Sequence, residues 1–428
     1  MKTCLALLMI FSLAASALPP QRPAAAQAPS GFEAAFLRHL AAQSIPGAVV
    51  MVQQGEEILY LGGLGDLATD FDPATARPLG RAVEPFLASL TLQYAEAGRL
   101  DPLQSLTAYL PDFRLEGRPN ATQATSIEAL MEHKAGFGRL DRAPLDPLPP
   151  ASFQALETEF FPGARFSDCS RCVGLWVHLL ESLGGGELAA LLQTQVFYPL
   201  QMDQTYLEAG QLYTPPADLA RFLSVHLQAG RWGAVQLLKP ESVGLMARAH
   251  LPTQLNPREH YGYGWFVYLE NGLAVIDPIA EDRILVARDL GAHQVQISLI
   301  PAYNLAAVIW TAAPTPGLDA LMQVIWQYFA AYTPPSLATQ ARPATLAGRF
   351  RAQEGPFTGE LGLAVSADGA GLELSYQGET AAAEWIAPGQ LAFRIGGEEW
   401  RLSFLEPGRA RSALLSQDWA TGVYVRIE

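Results

Sequence analysis

Apolar residues recur at helical spacing through 32–42, at Phe32, Ala35, Phe36 and Leu40, and predict a helix there. A continuous apolar run follows at 48–52. A polar turn with Gly55 spans 53–57, and 58–61 is apolar again, which predicts a hairpin of two buried strands. Residues 71–85 are rich in Pro, Ala and Arg and read as loop. The next helix is predicted over 86–97, closed by Gly98. Thr125-Ser126-Ile127-Glu128 reads as a capping box opening a helix that ends at Gly136. Residues 141–150 hold four prolines and read as loop. Helices are predicted over 172–183, stopped by Gly184-Gly185-Gly186, over 216–229, stopped by Gly230, and over 240–248. Strands are predicted over 261–268, 294–300 and 305–310, and a long amphipathic helix over 318–332.

The texture changes after a proline cluster at Pro334, Pro335 and Pro343. Short apolar runs at 361–365, 372–376, 391–395, 400–405 and 423–427 are punctuated by glycine. They predict a small antiparallel β domain, a barrel or a sandwich. The expected organisation is a leader over 1–28, an α+β domain over 29–333, a linker over 334–343 and a β domain over 344–428.

Composition narrows the function classes. Net charge is −14 with no basic run, which excludes an ordinary nucleic-acid binder. Lys2 followed by an apolar run at 5–18 reads as a secretory leader. Small-residue cleavage signatures stand at 15–17 and 26–28. The second is preferred, because Pro19, Pro20 and Pro23 follow the first. The expected location is secreted or periplasmic, with no membrane span in the mature chain. Beyond Cys4 only Cys169 and Cys172 remain, spaced C-x-x-C at a predicted helix start. Export permits a disulfide between them; two thiols, or an exchanging pair of lowered pKa, are the alternatives.

Several segments, taken in order, resemble the serine β-lactamase and penicillin-binding-protein family, in its class C and esterase-like branch. They are Ile45-Pro46-Gly47-Ala48 with its hairpin, LQYAEAGRLDPLQSLTAYLP at 92–111 and LMEHKAG at 130–136. Phe161-Pro162-Gly163 through Ser167, VFYPLQM at 196–202, Asp218 to Phe222, and Tyr261-Gly262-Tyr263-Gly264-Trp265 complete the set. The resemblance covers about residues 32–333. It implies an antiparallel sheet flanked by helices, with an all-helical lobe. It also implies serine acyl transfer through S-x-x-K, Tyr-x-Asn and Lys/His-x-Gly motifs.

Those motifs are replaced. The S-x-x-K positions fall on Arg81 and Glu84, and the Tyr-x-Asn positions on Asp168 and Ser170. The third motif falls on Leu285 or Val286, followed by Ala287 or Arg288. An arginine is no oxygen nucleophile. Arg81 and Glu84 are expected to form a surface ion pair in a loop, with Pro85 delaying the helix start. One argument needs no alignment. The chain has three lysines, Lys2, Lys134 and Lys239, and the last two follow Met131 and Gln236 at the −3 position.

No catalytic residue, cofactor or metal set is therefore expected. Arg81, Glu84, Lys134, Asp168, Cys169, Ser170 and Arg288 are expected to line a remnant cleft, with Arg81 available to a ligand carboxylate. The expected function is a catalytically inactive binding protein for a peptide or cell-wall-like small ligand. The alternatives are a hydrolase rebuilt on Ser167, Asp168 and His293, and a thiol–disulfide protein using Cys169 and Cys172. His133 is expected to bond loop backbone, and Lys134 to be solvated at the cleft rim.

Overall fold

A computed structural model describes residues 28–138, 145–248, 250–253, 259–269, 283–288, 293–315 and 318–329. In the C-terminal part it describes 348–354, 359–365, 372–387, 390–395, 398–404, 412–417 and 420–426. The expected leader, apart from residue 28, and the linker 334–343 lie outside the described residues.

An eight-stranded antiparallel sheet forms the centre. Its order is Glu57–Gly65, Gly47–Gln54, Leu305–Thr315, His293–Ile300, Arg283–Arg288, Phe266–Leu269, Glu259–Tyr261 and Leu251–Pro252. The unbroken apolar run at 48–52 has a direct cause. Val49 and Met51 enter one core, while Ala48, Val50 and Val52 enter the other. Ala306, Val308 and Trp310 divide from Leu305, Ala307 and Ile309 in the same way. A strand buried on both faces needs no polar alternation.

One face is covered by helices Phe32–Ala42 and Asp319–Phe329, where Phe32 meets the Phe329 ring edge-on at 5.1 Å. The other face carries the helical lobe. Its main helices are Glu84–Glu96, Ser170–Gly184, Pro216–Leu227 and Pro240–Met246. Phe86 stacks on Phe222 at 3.6 Å, and the buried Trp176 Nε1 donates to Thr91 Oγ1 at 2.7 Å. Among the described residues no helix is long and apolar enough to cross a membrane.

Three local expectations need correction. The span 261–268 is two strands, Glu259–Tyr261 and Phe266–Leu269, because Gly264 turns the chain at φ 78°. The helix expected up to Gly136 is only Ile127–Met131, since His133 adopts φ 54° and Gly136 φ 73°. Its cap is Ser126, whose hydroxyl accepts from the Ala129 N–H at 3.1 Å; the Glu128 carboxylate turns elsewhere. Strand Arg283–Arg288 and helix Leu188–Leu192 carried no recognised pattern.

The C-terminal strands are Gly348–Glu354, Glu360–Val365, Leu372–Tyr376, Glu379–Ala387, Gln390–Ile395, Glu398–Phe404, Ser412–Gln417 and Ala420–Arg426. Each pairs antiparallel with the next, and the first pairs with the last, which closes a barrel. Alternate residues, including Leu361, Leu363, Leu372, Leu374 and Tyr376, fill its interior.

Candidate functional site

A 3₁₀ turn, Gly80–Val83, runs directly into helix Glu84–Glu96, with Pro85 in the first turn where no N–H is needed. The expected loop is therefore helical at this point. Arg81 and Glu84 fall on one side of it, with the Arg81 Nη2 and Glu84 Oε1 atoms 3.1 Å apart. The pair is not on the surface, because Glu84 is only 4% exposed.

Two further segments converge on this carboxylate. His133 Nε2 lies 2.7 Å from Glu84 Oε2, and the Tyr261 hydroxyl donates to the same oxygen at 2.5 Å. Arg81 donates to Glu84 Oε1 through Nε and Nη2, and through Nη1 to Asp168. The His133 tautomer follows from its other nitrogen. The Cys169 backbone N–H donates to His133 Nδ1 at 3.1 Å, so Nδ1 is the acceptor and Nε2 carries the hydrogen given to Glu84. The expectation that His133 bonds loop backbone is met, and its link to Glu84 is new.

Burial by itself raises the Glu84 pKa. His133, Arg81 and the hydrogen bonds from His133 and Tyr261 outweigh it and hold the carboxyl at about 2. The Tyr261 phenol is pushed well above its ordinary range by burial and then by Glu84. Glycine geometry keeps Tyr261 in place. A Cβ on Gly264 would lie 2.8 Å from the Glu84 carbonyl carbon and the Pro85 nitrogen. Only a bare backbone lets this bend pack onto the helix start.

Asp168 and Cys169 lie on the segment entering helix Ser170–Gly184, with Cys169 as N-cap. Cys169 and Cys172 are disulfide-bonded, and both are fully buried. An exchange partner has no access to these sulfurs, so the pair acts as a staple. Ser170 opens the helix.

Strand Arg283–Arg288 packs against the 3₁₀ turn, with Arg288 opposite Gln296 in register. The side chains of Arg288 and His293 lie outside the described set. Ser167 Oγ donates to Glu159 Oε2 at 3.0 Å, and Ser89 Oγ donates to the Pro85 carbonyl at 2.8 Å inside its helix.

Lys134 is not solvated. Its ammonium lies 2.6 Å from Glu128 Oε2 and 2.6 Å from Glu132 Oε2. Burial lowers its pKa, but the two carboxylates raise it further, so the net shift is upward. It is held as an ammonium, the opposite of what a general base needs.

The site thus joins Arg81, Glu84, Asp168 and Cys169 and adds His133 and Tyr261; Glu84, Asp168 and Cys169, expected to line a cleft, are instead buried. Tyr261 went unnoticed as a partner because 177 residues separate it from Glu84. A separate open groove of about 450 Å³ is lined by Arg118, Asn120, Thr158, Glu159, Phe160 and Phe161.

Known proteins share this fold. The penicillin-binding protein homologue from Pyrococcus abyssi superposes with a TM-score of 0.60 at 15% identity, over 92% of this chain and 99% of that one. A class C β-lactamase from Rhodobacter sphaeroides gives 0.56 at 16% identity, over 71% and 99%. These likenesses show the fold. The D-aminopeptidase of Brucella canis is 30% identical over 166 residues, 36% of this chain and 32% of that enzyme. The chain therefore spans about a third of the length of that relative. The Beta-lactamase family profile matches residues 32–324, well over half of the chain. The chain belongs to the β-lactamase family.

Proposed function

We propose that this chain is a catalytically inactive member of its family, exported and working as a binding protein. One observation carries the proposal. Arg81 and Glu84, on which the sequence resemblance puts the family's nucleophile and lysine, are locked into a buried network. Glu84 receives two donors on each oxygen, and Arg81 spans Glu84 and Asp168. The one hydroxyl in this network among the described residues is the Tyr261 phenol, which donates to Glu84 and is held protonated by burial and by that carboxylate. Chemistry would require these bonds to be broken first.

The ligand class is a peptide or a small cell-wall-like molecule. Support comes from the D-aminopeptidase relative and from a fold neighbour whose structure was solved with D-Leu. Arg81 is already engaged by two carboxylates, so the expectation that it receives a ligand carboxylate is withdrawn. The groove beside Phe161 is the better place for a ligand.

Incubation with a fluorescent penicillin and with a fluorophosphonate, followed by intact-mass measurement, tests inactivity. The expected result is no covalent adduct. An adduct on any serine overturns the proposal, and loss of that adduct in Ser167→Ala would identify a rebuilt site. Fractionation of expressing cells tests export.

A further inference from the structure

Glu128 and Glu132 are four residues apart, within and just beyond helix Ile127–Met131, so their carboxylates fall on one side. His250 reaches them from the segment before strand Leu251–Pro252. One donor atom from each of the three lies within 4.8 Å of the other two. The Lys134 ammonium already contacts Glu128 Oε2 and Glu132 Oε2. It does not satisfy the whole cluster.

Glu132 is 1% exposed, and its Oε1 has no hydrogen-bond donor. That oxygen lies 3.0 Å from His250 Nδ1. The other ring nitrogen, Nε2, lies 2.8 Å from the Leu245 carbonyl and so carries a hydrogen. With Nε2 as the donor to that carbonyl, Nδ1 is the ring atom that faces the carboxylate. Two ligating atoms this close are joined by a shared cation, a proton or a metal ion. A shared proton sits best on the line between its two atoms, yet this contact lacks hydrogen-bond alignment. A metal ion bonded to both atoms at about 2.0 Å sits off that line, at the apex of a triangle.

The surroundings match a metal ligand set. His250 donates its far N–H to a backbone carbonyl, which fixes the tautomer with Nδ1 free to coordinate. Tyr263 donates to Glu128 Oε1 at 2.9 Å and stacks on the His250 ring at 4.4 Å. One imidazole with two carboxylates suits a zinc-class ion better than calcium or magnesium. We propose that Glu128, Glu132 and His250 form a three-ligand zinc-class site, with Lys134 as its competing internal cation. The Lys134 side chain is 17% exposed and long enough to swing outward when the ion enters. This site does not rest on the function proposed above for the chain.

Zinc titration calorimetry on chelator-treated, tag-free full chain tests it, with circular dichroism confirming the fold of each variant. The expected result is one equivalent bound by the wild type. Affinity falls about tenfold or more in His250→Gln. It rises by about the same factor in Lys134→Met, because the competitor is gone. No saturable binding by the wild type overturns the proposal, as does unchanged binding in both His250→Gln and Glu132→Gln. Lys134→Met keeps the test decisive if the ligand variants fail to fold, since unchanged affinity there also overturns it.

Discussion

Glu84 and His226 are both buried titratable groups of the helical lobe, yet they are treated in opposite ways. Glu84 stands at a helix start and receives donors from Arg81, His133 and Tyr261. His226 lies in helix Pro216–Leu227 between the rings of Phe222 and Trp265, and neither of its nitrogens has a hydrogen-bond partner. The pKa values follow the surroundings. Glu84 stays charged, at about 2, although burial opposes it. His226 is driven down to about 3 by burial with nothing to oppose it. A buried charge survives only where neighbours are arranged to answer it. Here they are arranged at the start of helix Glu84–Glu96, where they answer a carboxylate.

The largest effect is expected from removing that carboxylate. Glu84→Ala removes the buried acceptor shared by Arg81, His133 and Tyr261, and should cost about 3–5 kcal/mol in urea unfolding. Linkage gives a second signature. The folded pKa lies below the ordinary 4.5. The carboxylate's stabilisation is thus fully present above about pH 4.5 and is lost as pH falls through about 2. Glu84→Ala should lack this acid limb. A loss below about 1 kcal/mol would show that the network is incidental and would break the comparison.

Gly264→Ala is the next step down. It forces a side chain into φ 78° and against the Glu84–Pro85 backbone. The expected loss is about 1–3 kcal/mol by thermal unfolding. A neutral result would mean that the bend holding Tyr261 on Glu84 can yield.

The fold was legible where one segment carries its own pattern. The hairpin at 48–61 shows as two apolar runs around Gly55, and helix Ser170–Gly184 shows as an apolar stretch before three glycines. Convergence of Arg81, Glu84, Asp168 and Cys169 was legible from the order of family-like segments. What failed was the burial and the exact partners of single side chains. The surface ion pair became a buried one because His133 and Tyr261 close over it. The pairing of Lys134 is hidden because neither Glu128 nor Glu132 shows in sequence that it will turn towards the ammonium. Glu128 looked like half of a capping box, a local role that its tertiary partners override.

The smallest effect at neutral pH, and the sharpest test of the contrast, is His226→Phe. It replaces a ring whose two nitrogens lack partners with an apolar ring of similar shape. Stability at pH 7 should change by no more than about 1 kcal/mol. The difference should appear in acid. Unfolded His226 takes up a proton near its ordinary 6.5, whereas the folded protein resists protonation down to about 3. Between those values the unfolded state binds more protons, so the wild type loses stability as pH falls. His226→Phe removes that loss, and its advantage should open below about pH 6.5, widen towards pH 3 and stay flat above pH 6.5. This window begins well above the Glu84 one, so unfolding midpoints measured across pH for both variants separate the two groups. Parallel wild-type and His226→Phe curves would mean that the buried imidazole meets a partner on unfolding or before it, and the contrast with Glu84 would fall.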